Sequence, residues 1–190
     1  MAGKKGSVHR LKVTLREVRP PVWRRIEVPS DVTLGRLSGI LEAAMGWEGY
    51  HLHLFDVAGT TYGIPDPDWE MNCLDEGRFR LVAVLPWVGS KLRWDYDFGD
   101  GWEHDVLVEA IGPAEPGVEY PRCLKGRRTC PPEDCGGPWG YAEMLQLQAD
   151  PSLEDPDDRR AWLGPDFDPA YFDPEEATEA MRSPRPVEGW

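Results

Sequence analysis

Four side chains able to carry charge or hold a metal, Asp97, Asp100, Glu103 and His104, fall within eight residues of the segment Tyr96-Asp97-Phe98-Gly99-Asp100-Gly101-Trp102-Glu103-His104. Three thiols, Cys123, Cys130 and Cys135, fall within a further span of thirteen residues. Upstream, His51 and His53 stand two apart. Carboxylates and imidazoles brought together bind a divalent cation and activate water on it, or exchange protons near neutral pH. Thiolates are the preferred ligands of structural zinc, which takes four donors in a tetrahedron.

The spacing Cys123-x6-Cys130-x4-Cys135 is not the Cys-x2-Cys pair of zinc ribbons, but Gly126, Pro131-Pro132 and Gly136-Gly137 supply the bends that converging thiols need. The residues predict a structural zinc on Cys123, Cys130 and Cys135, its fourth ligand drawn from His104, Cys73 or Asp134. The competing reading is three buried free thiols that pack as small hydrophobes. His51, His53, Asp97, Asp100 and His104, with Glu103 beside them, are the candidates for a metal-dependent hydrolytic site. Against that stands a turn capped by its own aspartates and a sheet face carrying hydrogen-bonded histidines. Asp97-Phe98-Gly99 has the letters of the kinase magnesium triplet, yet no glycine-rich phosphate loop or catalytic loop accompanies it. Asp95, Asp97 and Asp100 lack the glycine and distal glutamate of an EF-hand.

The elements that position these groups are legible from periodicity. Leu11–Arg16 and Val22–Val28 alternate apolar and polar around Pro20-Pro21, predicting an antiparallel hairpin. Arg16, Arg24 and Arg25 are expected as a basic strip on its exposed face, a weak candidate for nucleic-acid contact. Leu34, Leu37, Ile40, Leu41, Ala44 and Met45 recur at helical spacing, with Asp31 or Thr33 as N-cap and Gly46 as C-cap. Residues 49–57 predict a strand with His51 and His53 on one face. Residues 58–77 read as loop, holding Trp69 and Cys73. Residues 79–85 lean to a short helix. Leu92–Tyr96 and Trp102–Ile111 predict two strands joined by a turn at 98–101, the second with Trp102, His104, Val106 and Val108 on one face. Residues 113–140 are irregular, 141–147 a short helix and 174–181 a last one. The fold class expected is α+β: an N-terminal β-hairpin, a helix and a mixed or antiparallel sheet, then a loop-rich, partly helical C-terminal part. The expected division is a flexible 1–9, a single domain over 10–182 with its cysteine loop at 121–140, and a tail at 183–190.

A chain of 190 residues with 41% hydrophobic content and nine tryptophans folds around its own core. Its longest apolar run, Leu81–Leu85, is too short to span a bilayer. No secretory h-region follows the basic start, so the expected compartment is the cytoplasm. The net charge of −13 repels phosphate backbones. It is uneven, since residues 1–30 carry eight Lys or Arg against two acids, and residues 141–190 thirteen acids against four Arg.

Leu11-Lys12-Val13, Pro20-Pro21-Val22-Trp23-Arg24-Arg25-Ile26, Met45-Gly46-Trp47, His51-Leu52-His53, Tyr96 through His104 and Cys130-Pro131-Pro132-Glu133-Asp134-Cys135-Gly136-Gly137 with Gly140-Tyr141 carry a resemblance. They resemble the plasmid Ri (pRiA4b) open-reading-frame-three-like family, over roughly residues 10–182. Its members are often labelled insertion-element passenger or TnpR resolvase proteins. The resemblance implies a compact α+β domain with a mixed sheet, a link to plasmids and mobile elements, and no established activity. Neither the activated serine nor the Arg/His/Tyr set of the recombinases can be assigned here. Members vary in keeping the loop cysteines, so the resemblance makes the metal optional to the fold. Cys73 matches none of the family's motifs, which favours His104 over Cys73 as fourth ligand. The expectation is a zinc-stapled, non-enzymatic cytoplasmic module that binds a protein or nucleic-acid partner. A metal-dependent hydrolase is the alternative, and a DNA-binding accessory protein a third.

Overall fold

A computed structural model describes residues 6–66, 72–155 and 157–183; Trp69 and the residues at both extreme termini lie outside it. Eight strands form one sheet, in the order β5-β4-β3-β6-β7-β1-β2-β8. They are β1 Ser7–Leu15, β2 Trp23–Pro29, β3 His53–Val57, β4 Thr60–Gly63, β5 Leu74–Asp75, β6 Lys91–Tyr96, β7 Trp102–Pro113 and β8 Arg122–Arg127. Every pairing is antiparallel except β4 with β5, so the sheet is mixed. The helices are α1 Leu34–Met45, α2 Leu81–Val84, α3 Gly137–Ala149, α4 Arg159–Leu163 and α5 Pro174–Arg182, with a 3-10 turn at Glu76–Arg78. The fold is α+β. Its first strand begins at Ser7, inside the segment expected to be flexible.

The period-two pattern decides which face is buried. Leu11, Val13 and Leu15, Ile26 and Val28, Leu92, Trp94 and Tyr96, and Trp102, Val106 and Val108 all point into the core. The other face is laced with ion pairs: Arg10 and Arg122 with Glu27, Arg16 with Glu103, Arg25 with Glu109 and Arg93 with Asp95. A twelve-residue helix is marginal alone, so burial of Leu34, Leu37, Ile40, Leu41, Ala44 and Met45 is what holds α1. Thr33 accepts from the Arg36 N–H, and Gly46 closes the C-terminus with its N–H on the Glu42 and Ala43 carbonyls. α5 packs against both α1 and β8. Its Asp173 caps the N-terminus, and Ala177 and Met181 face inward.

Register puts an aromatic set under α1. Trp94 lies opposite His104 and Phe55, and Tyr96 opposite Trp102 and His53. Trp47, just past α1, stacks on Tyr96 at 4.8 Å and meets His104 edge-on at 5.3 Å. Each such contact adds roughly 0.5–1.5 kcal/mol to simple burial, so the set fixes how the helix exit sits on the sheet.

Three expectations are corrected. The region 113–140 contains β8, which pairs with β2 and carries Cys123. It has no alternating apolar signature because it is an edge strand covered by α5. The stretch 58–77 contains β4 and β5, too short to show a period. The strand expected over 49–57 starts only at His53, so His51 is in the approach to it and the same-face rule does not apply.

Candidate metal centre

The site is built by three segments meeting at one end of β6. The first is the β6–β7 turn. Asp97 sits there at φ 56°, a left-handed conformation that Asp tolerates because its side chain bonds locally. Its Oδ1 accepts from the N–H groups of Gly99 (3.0 Å) and Asp100 (3.3 Å). Its own N–H donates to the Leu52 carbonyl at 2.9 Å, joining the turn to the second segment, residues 46–52. The third is the loop 131–137, held from several sides. Trp47 Nε1 donates to the Pro131 carbonyl at 2.9 Å, and the Glu48 N–H to Glu133 Oε2 at 2.8 Å. The Tyr96 hydroxyl donates to Glu133 Oε1, and the Gly136 N–H to Asp100 Oδ2 at 3.2 Å. Gly137 has φ 67°, and a Cβ there would lie 2.3 Å from the Asp100 carbonyl oxygen, so only glycine lets the loop approach this closely.

These contacts bring His51, Asp97 and Asp134 together, with one ligand atom from each lying within 4.8 Å of the others. His51 Nδ1 is 3.6 Å from Asp97 Oδ1, and Nε2 is 3.5 Å from Asp134 Oδ1. His51 Nε2 is buried and makes no hydrogen bond. Asp97 is 6% exposed, while Asp134 is open to solvent. Among the described residues, no Lys or Arg ion pair reaches Asp97, Asp100, Glu133 or Asp134, in contrast to the acids on the sheet's outer face. Burial holds the Glu133 carboxyl above the usual range, and burial beside Glu133 does the same to the Tyr96 hydroxyl. An imidazole with two carboxylates suits zinc or manganese. Atoms sharing one ion at about 2.1 Å lie at most about 4.2 Å apart, so the group closes by a fraction of an ångström to bind one.

The other sequence candidates go elsewhere. His53 Nε2 bonds Glu76 Oε2 at 2.8 Å, with Glu42 Oε1 3.8 Å from Nδ1. Glu42, whose carboxyl burial pushes up, also accepts from Ser38 at 2.9 Å. Glu103 faces outward and binds Arg16 at 2.7 Å. Asp100 ties the turn to the third segment, as described. His104 is wholly buried, its Nδ1 3.2 Å from the Trp94 carbonyl. The expected zinc ligands Cys123, Cys130, Cys135 and His104 are not among the described groups whose donor atoms converge. Cys123 faces the core from β8, and the other two thiols lie in the 130–135 loop. Burial raises all three thiols, Cys123 to about 11 and Cys135 to about 12. Cys73, half-buried beside β4, is not near them in the fold.

The basic strip is also corrected. Arg24 is 2% exposed on the core face. Its guanidinium donates to the carbonyls of Ala44 (2.9 Å), Trp23 (3.0 Å) and Arg127 (3.2 Å) and lies 4.1 Å from the Phe172 ring centroid. Arg16 and Arg25 are held by Glu103 and Glu109. Sequence reading missed Glu42, Glu76 and Glu133. A glutamate inside the apolar stripe of α1, four residues after Ser38, was the available signal for the first, and the Pro-Pro-Glu-Asp motif for the last.

No helix among the described residues is long and apolar enough to cross a membrane. The uncharacterized protein y4hQ of Sinorhizobium fredii is 44% identical over 166 residues, covering 86% of this chain and 85% of that protein. A glycogen synthase of Cereibacter sphaeroides is 28% identical over 113 residues, 51% of this chain but only 20% of that protein. The crystal structure of MM3350, a protein of unknown function from Methanosarcina mazei, superposes with a TM-score of 0.83 at 38% identity, covering 91% of this chain and 98% of that one. The profile described as plasmid pRiA4b ORF-3-like protein matches residues 7–176, and with the close relatives it shows that this chain belongs to the pRiA4b ORF-3-like family.

Proposed function

We propose that the chain is a cation-dependent binding module, in which His51, Asp97 and Asp134 hold one divalent metal ion and leave its remaining positions open toward solvent. The convergence of these three donors from three segments carries the reading. The burial of Asp97 supports it, since among the described residues no Lys or Arg pairs with that carboxyl and an ion beside it would offset the cost of burying it. The His51 ring stands between the two aspartates, 3.6 Å from Asp97 Oδ1 and 3.5 Å from Asp134 Oδ1. The unpaired thiols suit a reducing compartment, and the cytoplasm is the location we propose. The test is calorimetric titration of chelator-stripped protein with Zn²⁺ and Mn²⁺. One ion per chain is expected, with Asp97→Asn and Asp134→Asn each lowering affinity at least about tenfold and Cys130→Ser leaving it unchanged. Binding that survives both aspartate changes, or none at all, sinks the reading.

A hydrolase is the second reading. It is favoured by Glu133, a carboxyl raised by burial and next in sequence to Asp134. Such a group beside a metal-bound water is suited to act as general base. Metal-dependent cleavage of a neutral ester, lost in Glu133→Gln while metal affinity is kept, is its expected signature. Equal cleavage by both proteins would discard it.

A further inference from the structure

Strand register lines up five outer-face positions across the neighbouring strands β6-β7-β1-β2-β8. Lys91 lies opposite Leu107, Leu107 opposite Lys12, Lys12 opposite Arg25, and Arg25 opposite Lys125. All but Leu107 are cations. Side chains directly opposed on antiparallel strands are close neighbours, and like charges placed there destabilise a sheet. The flanking rows avoid this. Arg10 and Arg122 close on the Glu27 between them, and Arg93 faces Asp105. Glu109 offsets one charge of the row by binding Arg25. Among the described residues, Lys12, Lys91 and Lys125 form no ion pair. Neither does Arg127, which stands beside the row, opposite Trp23. Lys91, Lys125 and Arg127 are exposed.

A row of this kind is unfavourable for the chain alone, and an anion laid along it removes the repulsion. At a strand spacing of about 4.8 Å it is roughly 19 Å long, which suits an extended polyanion over a single small ion. α1 and α5 bury their apolar residues on the other face of the sheet. The row also carries flat and apolar surface. Lys12 lies 5.6 Å and Arg25 5.4 Å from the ring centroid of the half-buried Trp23, and Leu107 is half-buried within the row. An acidic peptide brings charge alone. A lipid surface takes apolar side chains that project into it, and Trp23 and Leu107 do not project. A single-stranded nucleic acid brings phosphates together with unpaired flat bases, and grooves that bind one combine backbone-tracking cations with an aromatic ring. The net charge of −13 opposes a polyanion from afar, but at physiological ionic strength charges act over about 8 Å, less than the length of the row. We infer that this face binds single-stranded nucleic acid, with phosphates on Lys91, Lys12, Lys125 and Arg127 and a base against Trp23. The row shares only Arg25 with the basic strip expected from the sequence, and it is independent of the cation site.

Fluorescence anisotropy of a labelled twelve-nucleotide oligothymidylate, titrated with the full chain in the presence of chelator, tests it. Binding is expected at about 50 mM salt, with log affinity falling against log salt at a slope near about −3, as about four phosphate contacts require. Lys125→Glu is expected to weaken binding about tenfold and to flatten the slope by about one. The same change sets an acid opposite Arg25, so the melting temperature is expected to hold or rise, which separates a lost contact from a lost fold. Arg36→Glu makes an equal charge change at an exposed α1 residue outside the row, and is expected to leave affinity within about twofold. No anisotropy change at low salt overturns the inference. So does equal weakening by Arg36→Glu, which would make the attraction non-local. Tighter binding of a duplex of the same length overturns it as well, as does binding of hexaglutamate or of phosphatidylserine vesicles in place of the oligonucleotide.

Discussion

His104 lies between Trp94, at 4.6 Å, and Trp47, at 5.3 Å, with its Nδ1–H on the Trp94 carbonyl and its Nε2 without a partner. That environment accepts a neutral ring and rejects a charged one, so burial pushes the imidazole down to about 3. The sign follows from proton counting. Between about 6.5 and 3 the unfolded chain binds a proton at this position and the folded chain does not. Stability therefore falls as pH drops below about 6.5, by up to about 1.4 kcal/mol per pH unit, and is unaffected above it. Denaturant melts at pH 7 and pH 5 should show a larger loss for the wild type than for His104→Leu, and equal losses would mean that the buried ring is not held neutral. Cys130 invites a parallel test. It is 7% exposed with its thiol raised by burial, so Cys130→Ser places a hydroxyl among apolar atoms at a cost of about 1–3 kcal/mol. That loss should be the same with and without chelator. A chelator-dependent loss would support the thiol zinc site expected from the sequence.

At the scale of the element, the candidate site depends on how closely the start of α3 approaches the β6–β7 turn. Gly137→Ala would set a methyl group against the Asp100 carbonyl in a left-handed backbone. We expect about 2–4 kcal/mol of destabilisation and weaker cation binding, because Asp134 rides on the same loop. Unchanged melting would mean that the approach is not required. α1 contributes at its other end. Its last-turn Ala44 carbonyl receives the buried Arg24 guanidinium, which also bonds β8 through Arg127. Arg24→Met should therefore loosen the helix exit that carries Trp47 and His51, seen as faster amide exchange across residues 42–48 than across β1.

For the whole molecule, a net charge of −13 is distributed so that the sheet's outer face is largely internally paired, while among the described residues Asp97, Asp100, Glu133 and Asp134 have no Lys or Arg partner. Mn²⁺ should raise the melting temperature through the site alone, adding about 2.7 kcal/mol of stability at a hundredfold excess over its dissociation constant. NaCl at matched ionic strength should not, and neither ion should lift Asp97→Asn. Much of this architecture was legible in one dimension. The β1–β2 hairpin, the capped α1 stripe, the inward face of β7 and the α+β class all follow from local periodicity and capping, which depend on neighbours within a few residues. So did the two dense segments, Tyr96–His104 and the cysteine loop, and the family they resemble. Periodicity could not reveal β8, β4 or β5, which are short or lie at an edge. Nor could it place the ligands. Asp97 and His104 are seven residues apart, yet one ends in the β6–β7 turn and the other in the aromatic core, because strand alternation and turn geometry separate them. Asp134 meets His51 across more than eighty residues, through hydrogen bonds from Glu48, Tyr96 and Gly136 that no spacing encodes. The sequence by itself determined the elements and the supply of donors. Only the tertiary structure decided which donors share a point in space, because that depends on long-range register and loop docking and not on local propensity.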